Sequence, residues 1–293
     1  MVLTIDAGGT TIKYAVLDQN GAVISSGSAP TKKGDAFLPQ LRGIIEEMRG
    51  KSFSETTGGG SFSFDQVAIA VPGPSKEKTI LKSVALELEN VSLEGLTDLP
   101  FIMTNDSTAA IFGGWRAAGS PKTPFVGFTL GTGVGGGMLI NGTMVTGVTS
   151  SAGEFGHMSI DADGPACGCG NRGCLERYVG WKDLVSQAQA LGLMVRDGKD
   201  LFNSVDPRAQ ELWDWVGHKI GFAVSNIIWA VNPSHVLLTG GVARAFSRFE
   251  KTLREEISRR VIPALRDGVQ IYANLDEHLA HQGLLALTLS VLK

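Results

Sequence analysis

The chain is short of cysteine, of net charge and of long apolar runs, and each shortage excludes a class of protein. Three cysteines occur in 293 residues, all between Cys167 and Cys174. An odd number of closely spaced cysteines is a poor disulfide framework and a good metal-binding one. Lysine plus arginine (26) and aspartate plus glutamate (29) nearly cancel, leaving a formal net charge of -3. With no basic stretch in the chain, an electrostatic footprint for nucleic acid is missing. No run approaches the roughly 18 apolar residues of a membrane span. The first residues, Val2-Leu3-Thr4-Ile5-Asp6, form neither a basic n-region nor an apolar h-region, so a signal peptide is not expected. These absences together lead us to expect a cytoplasmic protein. The sequons at Asn90, Asn105 and Asn141 then carry no meaning, because such a chain does not meet the glycosylation machinery.

What the chain has in plenty is glycine, 38 residues of it, much of it in short strings of the kind that let a backbone approach a ligand closely. One string is Asp6-Ala7-Gly8-Gly9-Thr10-Thr11. It lies between two short apolar runs that read as strands, Val2 to Ile5 and Ile12 to Leu17. A second string, Gly131 to Gly137, lies between the runs Phe125–Leu130 and Met138–Ile140. Formally it contains G-x-G-x-x-G. A dinucleotide-binding turn or a Walker loop must run into a helix N-terminus, whereas both strings run into strands. Gly50-Lys51-Ser52 is no Walker loop either, since the required earlier glycine is Ile45. Two strand–glycine–strand loops offering backbone N–H and threonine O–H donors point to an anion such as phosphate. Asp6, at the strand end, is suited to a hydrated magnesium ion.

Helical spacing is expected over Phe37 to Met48, with Leu38, Leu41, Ile44, Ile45 and Met48 on one side. Further helices are expected over Ser107–Ala118, Trp181–Leu191, Pro207–Val231, Phe246–Val261 and from about residue 277 to 292. Residues 50–63, rich in Ser, Thr and Gly, read as a flexible surface loop. Val67–Val71, Phe101–Thr104 and Val236–Thr239 read as strands, the last ending in Gly240-Gly241. The strands fall into two sets, and the expected architecture is α/β in two lobes with a boundary near Gly119 and a ligand cleft between them.

Asn105-Asp106 lies between a strand and a helix. Alone, Asp106 reads as a helix N-cap. Beside phosphate loops it reads as a general base that accepts a hydroxyl proton during phosphoryl transfer. His157, Cys167, Cys169 and Cys174 give H-x9-C-x-C-x4-C, a set of four N/S ligands suited to a closed, structural zinc site.

The two glycine loops and Leu238-Thr239-Gly240-Gly241 resemble the three nucleotide-binding segments of the actin, Hsp70 and sugar kinase superfamily. Within it, Glu154-Phe155-Gly156-His157 and the run Cys167 to Glu176 resemble the E-x-G-H and C-G-C-G-x-x-G-C-x-E segments of ROK sugar kinases, and the resemblance extends from Thr4 to Ala280-x-x-Gly283. It implies a two-lobed actin-like ATPase (ribonuclease H-like) fold with an interlobe cleft. Residues 1–118 plus the C-terminal helix 279–293 would form the smaller lobe, and residues 119–278 the larger one with the zinc site. By the same resemblance, Gly8, Gly9, Thr10, Thr11 and Lys13 lie near the terminal phosphates of ATP. Gly131, Thr132 and Gly133 hold phosphates from the other lobe, and Gly240 and Gly241 approach the adenosine. Asn90, Asn105, Asp106, Glu154, His157 and Glu176 are the expected sugar ligands, with Asp106 the catalytic base. Asn90 stands in Asn90-Val91-Ser92-Leu93-Glu94-Gly95, which lacks the tryptophan of the family's stretch.

The implied reaction is magnesium-dependent transfer from ATP to a hexose, with glucose the first choice. N-acetylmannosamine, N-acetylglucosamine, fructose and allose share these motifs. A homodimer is the family expectation. A different class, the sugar-sensing ROK regulators, carries a DNA-binding region ahead of the first loop, and here that loop begins at Asp6.

Overall fold

In the computed structural model, which describes residues 1–51, 53–55 and 58–291 (53–55 and 58–62 by backbone alone), the chain divides into two compact units. Unit 1 comprises Met1–Ala117, Thr146–Ala152 and the chain from Glu277 onward; unit 2 comprises Ala118–Val145 and Gly153–Asp276.

Unit 1 begins with a hairpin of β1 (Val2–Ala7) and β2 (Thr11–Leu17), followed by β3 (Val23–Pro30) and α1 (Phe37–Arg49). After β4 (Phe53–Glu55) and β5 (Gly58–Phe62) come β6 (Gln66–Val71), β7 (Ser75–Lys76), β8 (Thr79–Ser83), β9 (Leu88–Ser92), β10 (Phe101–Asn105) and α2 (Asp106–Ala117). The main sheet has the order β10-β6-β1-β2-β3. Its β1 runs parallel to β6 and antiparallel to β2. Helices cover both faces of β1, so the face carrying Val2 and Thr4 is buried as well as the apolar one. Leu3, Ile5 and Ala7 join Phe37, Leu41 and Ile45 of α1 in one core. Val2 joins Leu284 and Leu285 of the C-terminal helix in another. Each fully buried Leu, Ile or Phe contributes roughly 1.5–3 kcal/mol.

Unit 2 repeats that frame. It contains β11 (Phe125–Leu130), β12 (Val134–Ile140), β13 (Thr143–Met144), α3 (Glu176–Val179), α4 (Trp181–Ala190), α5 (Gly198–Asn203) and α6 (Pro207–Val231). It continues through β14 (His235–Thr239), α7 (Phe246–Arg260), α8 (Pro263–Arg266) and β15 (Gln270–Ala273), after which α9 (Leu279–Val291) returns to unit 1. The sheet order is β13-β12-β11-β14-β15. β11–β12 is antiparallel and β11–β14 parallel, as in the first sheet. The long α6 is stopped at both ends by its own sequence. Pro207 occupies the first turn, the Asp206 side chain accepts the Arg208 N–H at 2.9 Å, and Asn232 ends the helix at φ 48°. These are the N-cap, N1 and left-handed C-terminal signals of an ordinary helix.

Some expectations are corrected. Residues 50–63 carry the antiparallel strands β4 and β5 instead of a structureless loop. Residues 75–92 form a three-stranded sheet, β7-β8-β9, that the sequence reading did not include. β15 and the short helices α3, α5 and α8 were also not expected. The C-terminal helix begins at Leu279, not 277, and the expected end at 292 lies outside the described residues.

Candidate active site and metal cluster

In unit 1, β1, β6 and β10 run parallel, with Asp6 opposite Ala70 and Asn105 opposite Val71. That register brings Asp6 and the Asn105-Asp106 pair to the same, C-terminal end of the sheet, where open α/β sheets bind ligands. The Gly8–Thr11 turn rises beside them. Gly8 N–H donates to Thr11 O at 3.1 Å, and Thr31 grips the turn from outside, its N–H on Thr10 O at 2.9 Å and its hydroxyl on Gly8 O at 2.6 Å. A Cβ at Gly8 would fall 2.9 Å from Thr11 O, and one at Gly9 2.9 Å from Ala85 Cβ. The turn therefore tolerates neither side chain. Thr10 and Thr11 are exposed, their hydroxyls available to a ligand.

Asn105, not Asp106, caps α2: its Oδ1 accepts Ser107 N–H at 2.9 Å and Thr108 N–H at 3.2 Å, while its amide donates to Gly73 O at 3.3 Å. Asp106 is the first helical residue, its Oδ1 also accepting Ser107 N–H, at 2.7 Å. The surrounding protein desolvates both carboxylates. Asp6 is pushed up to about 7, first by burial and then by the negative charge of Asp106, with Lys13 opposing. Asp106 is also raised, by burial, against the hydrogen bonds from Ser107. Two desolvated carboxylates beside the Gly8–Thr11 turn form a donor set that fits a hard divalent cation. Lys13 stands opposite Asp6 on β2 and lines a cavity of about 260 Å³ with Ser26, Ser28, His278 and His281. Deeper in the same unit His281 Nδ1 meets Thr4 Oγ1 at 2.8 Å, and burial drives the imidazole pKa down to about 4. Asn90 is placed differently from the rest. It sits exposed on β9 at φ 53°, and no hydrogen bond joins it to Asn105 or Asp106 among the described residues.

In unit 2 the glycine loops leave adjacent parallel strands, β11 and β14, with Thr129 opposite Thr239. Gly131 N–H donates to Gly133 O at 2.9 Å, closing the turn. Gly240 has φ 95°, and a Cβ there would fall 2.6 Å from Leu130 O. Glu154 stands at the start of a 3-10 turn, Phe155–His157, in which His157 N–H returns to Glu154 O at 3.1 Å. Glu176, expected to face substrate, also reaches a protein partner: its Oε2 accepts the Val134 N–H at 2.9 Å.

The ligand atoms of His157, Cys167, Cys169 and Cys174 all lie within 4.8 Å of one another. His157 Nδ1 is 3.7 Å from Cys167 Sγ, and Cys169 Sγ is 3.7 Å from Cys174 Sγ. Those separations are too long for a disulfide and close to the edges of a zinc tetrahedron, about 3.8 Å for S–S at ordinary Zn–S lengths. Cys167 and Cys174 are buried and Cys169 is exposed. The four residues fit the ion: three soft sulfurs and one imidazole nitrogen already face a common centre.

Thr31 and Trp181 escaped the sequence reading. Thr31 sits in Pro30-Thr31-Lys32-Lys33 and Trp181 opens an ordinary amphipathic helix, so neither carries a local pattern that marks it. Nor did Glu176 announce its bond to a residue 42 positions earlier.

The sequence pattern that defines the ROK family matches residues 2–291. A glucokinase of Halalkalibacterium halodurans is 29% identical, over 91% of this chain and 88% of that protein. An N-acetylmannosamine kinase of Shigella boydii serotype 18 is also 29% identical, over 83% of this chain and 84% of that protein. Among solved structures, a ROK family glucokinase from Streptomyces griseus in complex with glucose and AMPPNP superposes with a TM-score of 0.78 at 25% identity, covering 97% of each chain. The fold is thus the actin-like ATPase fold of ROK sugar kinases.

Proposed function

The chain belongs to the ROK family, and from that membership we propose that it transfers the γ-phosphoryl group of ATP to a hydroxyl of a hexose, with glucose the first acceptor to test. The observation that supports this most is the pairing of Asp6 and Asp106 at the sheet end beside the Gly8–Thr11 turn. Asp106 takes the proton of the acceptor hydroxyl while that oxygen attacks the γ-phosphorus and ADP leaves. A raised Asp106 pKa suits this role, since a base nearer the working pH holds the proton better. Asp6 would hold hydrated magnesium, which when bound neutralises charge on the phosphates. Gly8, Gly9, Thr10, Thr11 and Lys13 receive the terminal phosphates, Gly131, Thr132 and Gly133 the phosphates from unit 2, and Gly240 and Gly241 the adenosine.

Asn105, Glu154, His157 and Glu176 hold the sugar hydroxyls. Carboxylates suit the task because each offers about four acceptor sites. Glu176 Oε1 faces the sugar while Oε2 stays on Val134. His157, Cys167, Cys169 and Cys174 hold zinc, and a closed four-ligand set makes that ion structural. With Nδ1 turned to the sulfurs, His157 presents Nε2–H to the sugar. Asn90, exposed on β9, is assigned to the sugar by the family resemblance alone.

A coupled assay of ADP release across glucose, N-acetylmannosamine, N-acetylglucosamine, fructose and allose tests the reading. Turnover with glucose above the others is expected. Turnover with none of them rejects the kinase, and preference for N-acetylmannosamine moves the acceptor assignment to the class of the second relative.

A further inference from the structure

The short segment from Cys174 to Trp181 touches both glycine loops of unit 2. Glu176 Oε2 accepts the Val134 N–H at 2.9 Å and lies so close to Gly133 that a Cβ there would fall 2.5 Å from it. Trp181 N–H donates to Gly131 O at 2.9 Å, and a Cβ on Gly180 would meet Thr132 O at 3.0 Å. The Trp181 indole then lies beside Gly241, so close that a Cβ there would fall 2.4 Å from its Nε1, and packs edge-on against Trp213. At its other end the segment is tied to the Cys/His cluster. Cys174 pairs with Ser159, Leu175 N–H donates to Met158 O at 3.0 Å, and Cys174 Sγ lies 3.4 Å from His157 O. Glu176 follows Cys174 by two residues.

A loop whose turn is closed by a single backbone bond, Gly131 to Gly133, has little of its own to keep its N–H groups aimed at an anion. A carboxylate bonded to one of its N–H groups and an indole packed on the neighbouring loop supply that rigidity from outside. We propose that Glu176 and Trp181 are positioning residues for the nucleotide: they fix the Gly131–Val134 and Gly240–Gly241 loops in register and so connect the metal cluster to ATP affinity, a role beyond sugar binding. The inference rests on the kinase reading.

Binding of AMPPNP with magnesium, measured calorimetrically on the full chain without any sugar, separates the two. Glu176→Ala is expected to weaken AMPPNP by about tenfold, the scale of one charge-assisted hydrogen bond, and to speed amide exchange across residues 131–135. Glu176→Gln, whose amide oxygen still accepts from Val134, should stay within about threefold of wild type. Trp181→Leu should weaken AMPPNP by a similar factor and stands in if Glu176→Ala does not fold. AMPPNP affinity and loop exchange unchanged in Glu176→Ala or, where that chain does not fold, in Trp181→Leu overturn the proposal and leave the kinase intact. Glu176→Gln as damaging as the alanine variant also overturns it. A wild-type chain that binds no AMPPNP overturns the kinase reading itself.

Discussion

The two units share one strand frame and differ in what stands at its edge. In each sheet a glycine turn joins two antiparallel strands, and the first of these also pairs in parallel with a later strand. At the edge of unit 1 stand the desolvated carboxylates Asp6 and Asp106. In unit 2 the corresponding strand ends in Thr129-Leu130, and the charged groups nearby are Glu154 and Glu176 beside a sulfur-rich cluster. The frame supplies backbone donors twice. On the proposed reading, the side chains at its end decide which copy performs proton transfer and which copy only binds.

The strongest way to break that contrast is Asp106→Ala. Turnover should fall by roughly 10²–10⁴-fold, the usual worth of a positioned base, while calorimetry still detects sugar binding. Turnover that survives removes Asp106 as the base and with it the assignment of chemistry to unit 1.

A test of the proposed zinc site attacks the other copy. Chelation, or Cys174→Ser, should cost several kcal/mol of stability, because a structural zinc site contributes folding energy directly. Amide exchange should rise in residues 153–181 and leave β1 and β6 protected. Sugar affinity should fall with it, and a zinc-free sample that binds sugar normally removes His157 from the substrate.

A titration sharpens the contrast from the side of unit 1. His281 is buried and held near pKa 4, whereas an unfolded histidine titrates near 6.5. The unfolded chain therefore binds the proton first, and stability falls as pH drops from about 6.5 to about 4, by about 3 kcal/mol in total. Urea melts at pH 7 and pH 5 should differ in the wild type by a large part of that amount and by less in His281→Gln, where Thr4 keeps a polar partner. An equal loss in both chains assigns the acid sensitivity elsewhere.

The smallest effect expected is Gly240→Ala. At φ 95° an added Cβ costs about 1–2 kcal/mol in backbone strain alone, and it meets Leu130 O. The KM for ATP should rise several-fold with the KM for sugar nearly constant. Gly43→Ala, which meets nothing within 4 Å in α1, serves as the control.

Long periodic elements were legible. The Phe37 helix follows its apolar spacing to within a residue, and the Pro207 helix begins and ends where its caps say, because those signals act over a few residues. The strands of residues 75–92 and β15 were not, since each is only two to five residues long and is stabilised by partners distant in sequence. Asp106 shows the limit at a single position. An aspartate before a helix reads as its cap, yet Asn105 accepts both the Ser107 and Thr108 N–H groups, and Asp106, already in the first turn, shares only the Ser107 N–H.

The residue order alone determined the family, the two glycine loops and the Cys/His set of four candidate ligands, because these are motifs of fixed spacing that constrain chemistry locally. Tertiary structure decided which groups meet. Asp6 and Asp106, a hundred positions apart, reach the same end of the sheet only because β1, β6 and β10 align in parallel. Burial then raises the pKa of both, and the charge of Asp106 raises that of Asp6 further. Glu176 reaches Val134, and Trp181 reaches Gly241, only after the cysteine segment has folded under the loops. Proximity across such separations is a property of packing, and no local pattern carries it.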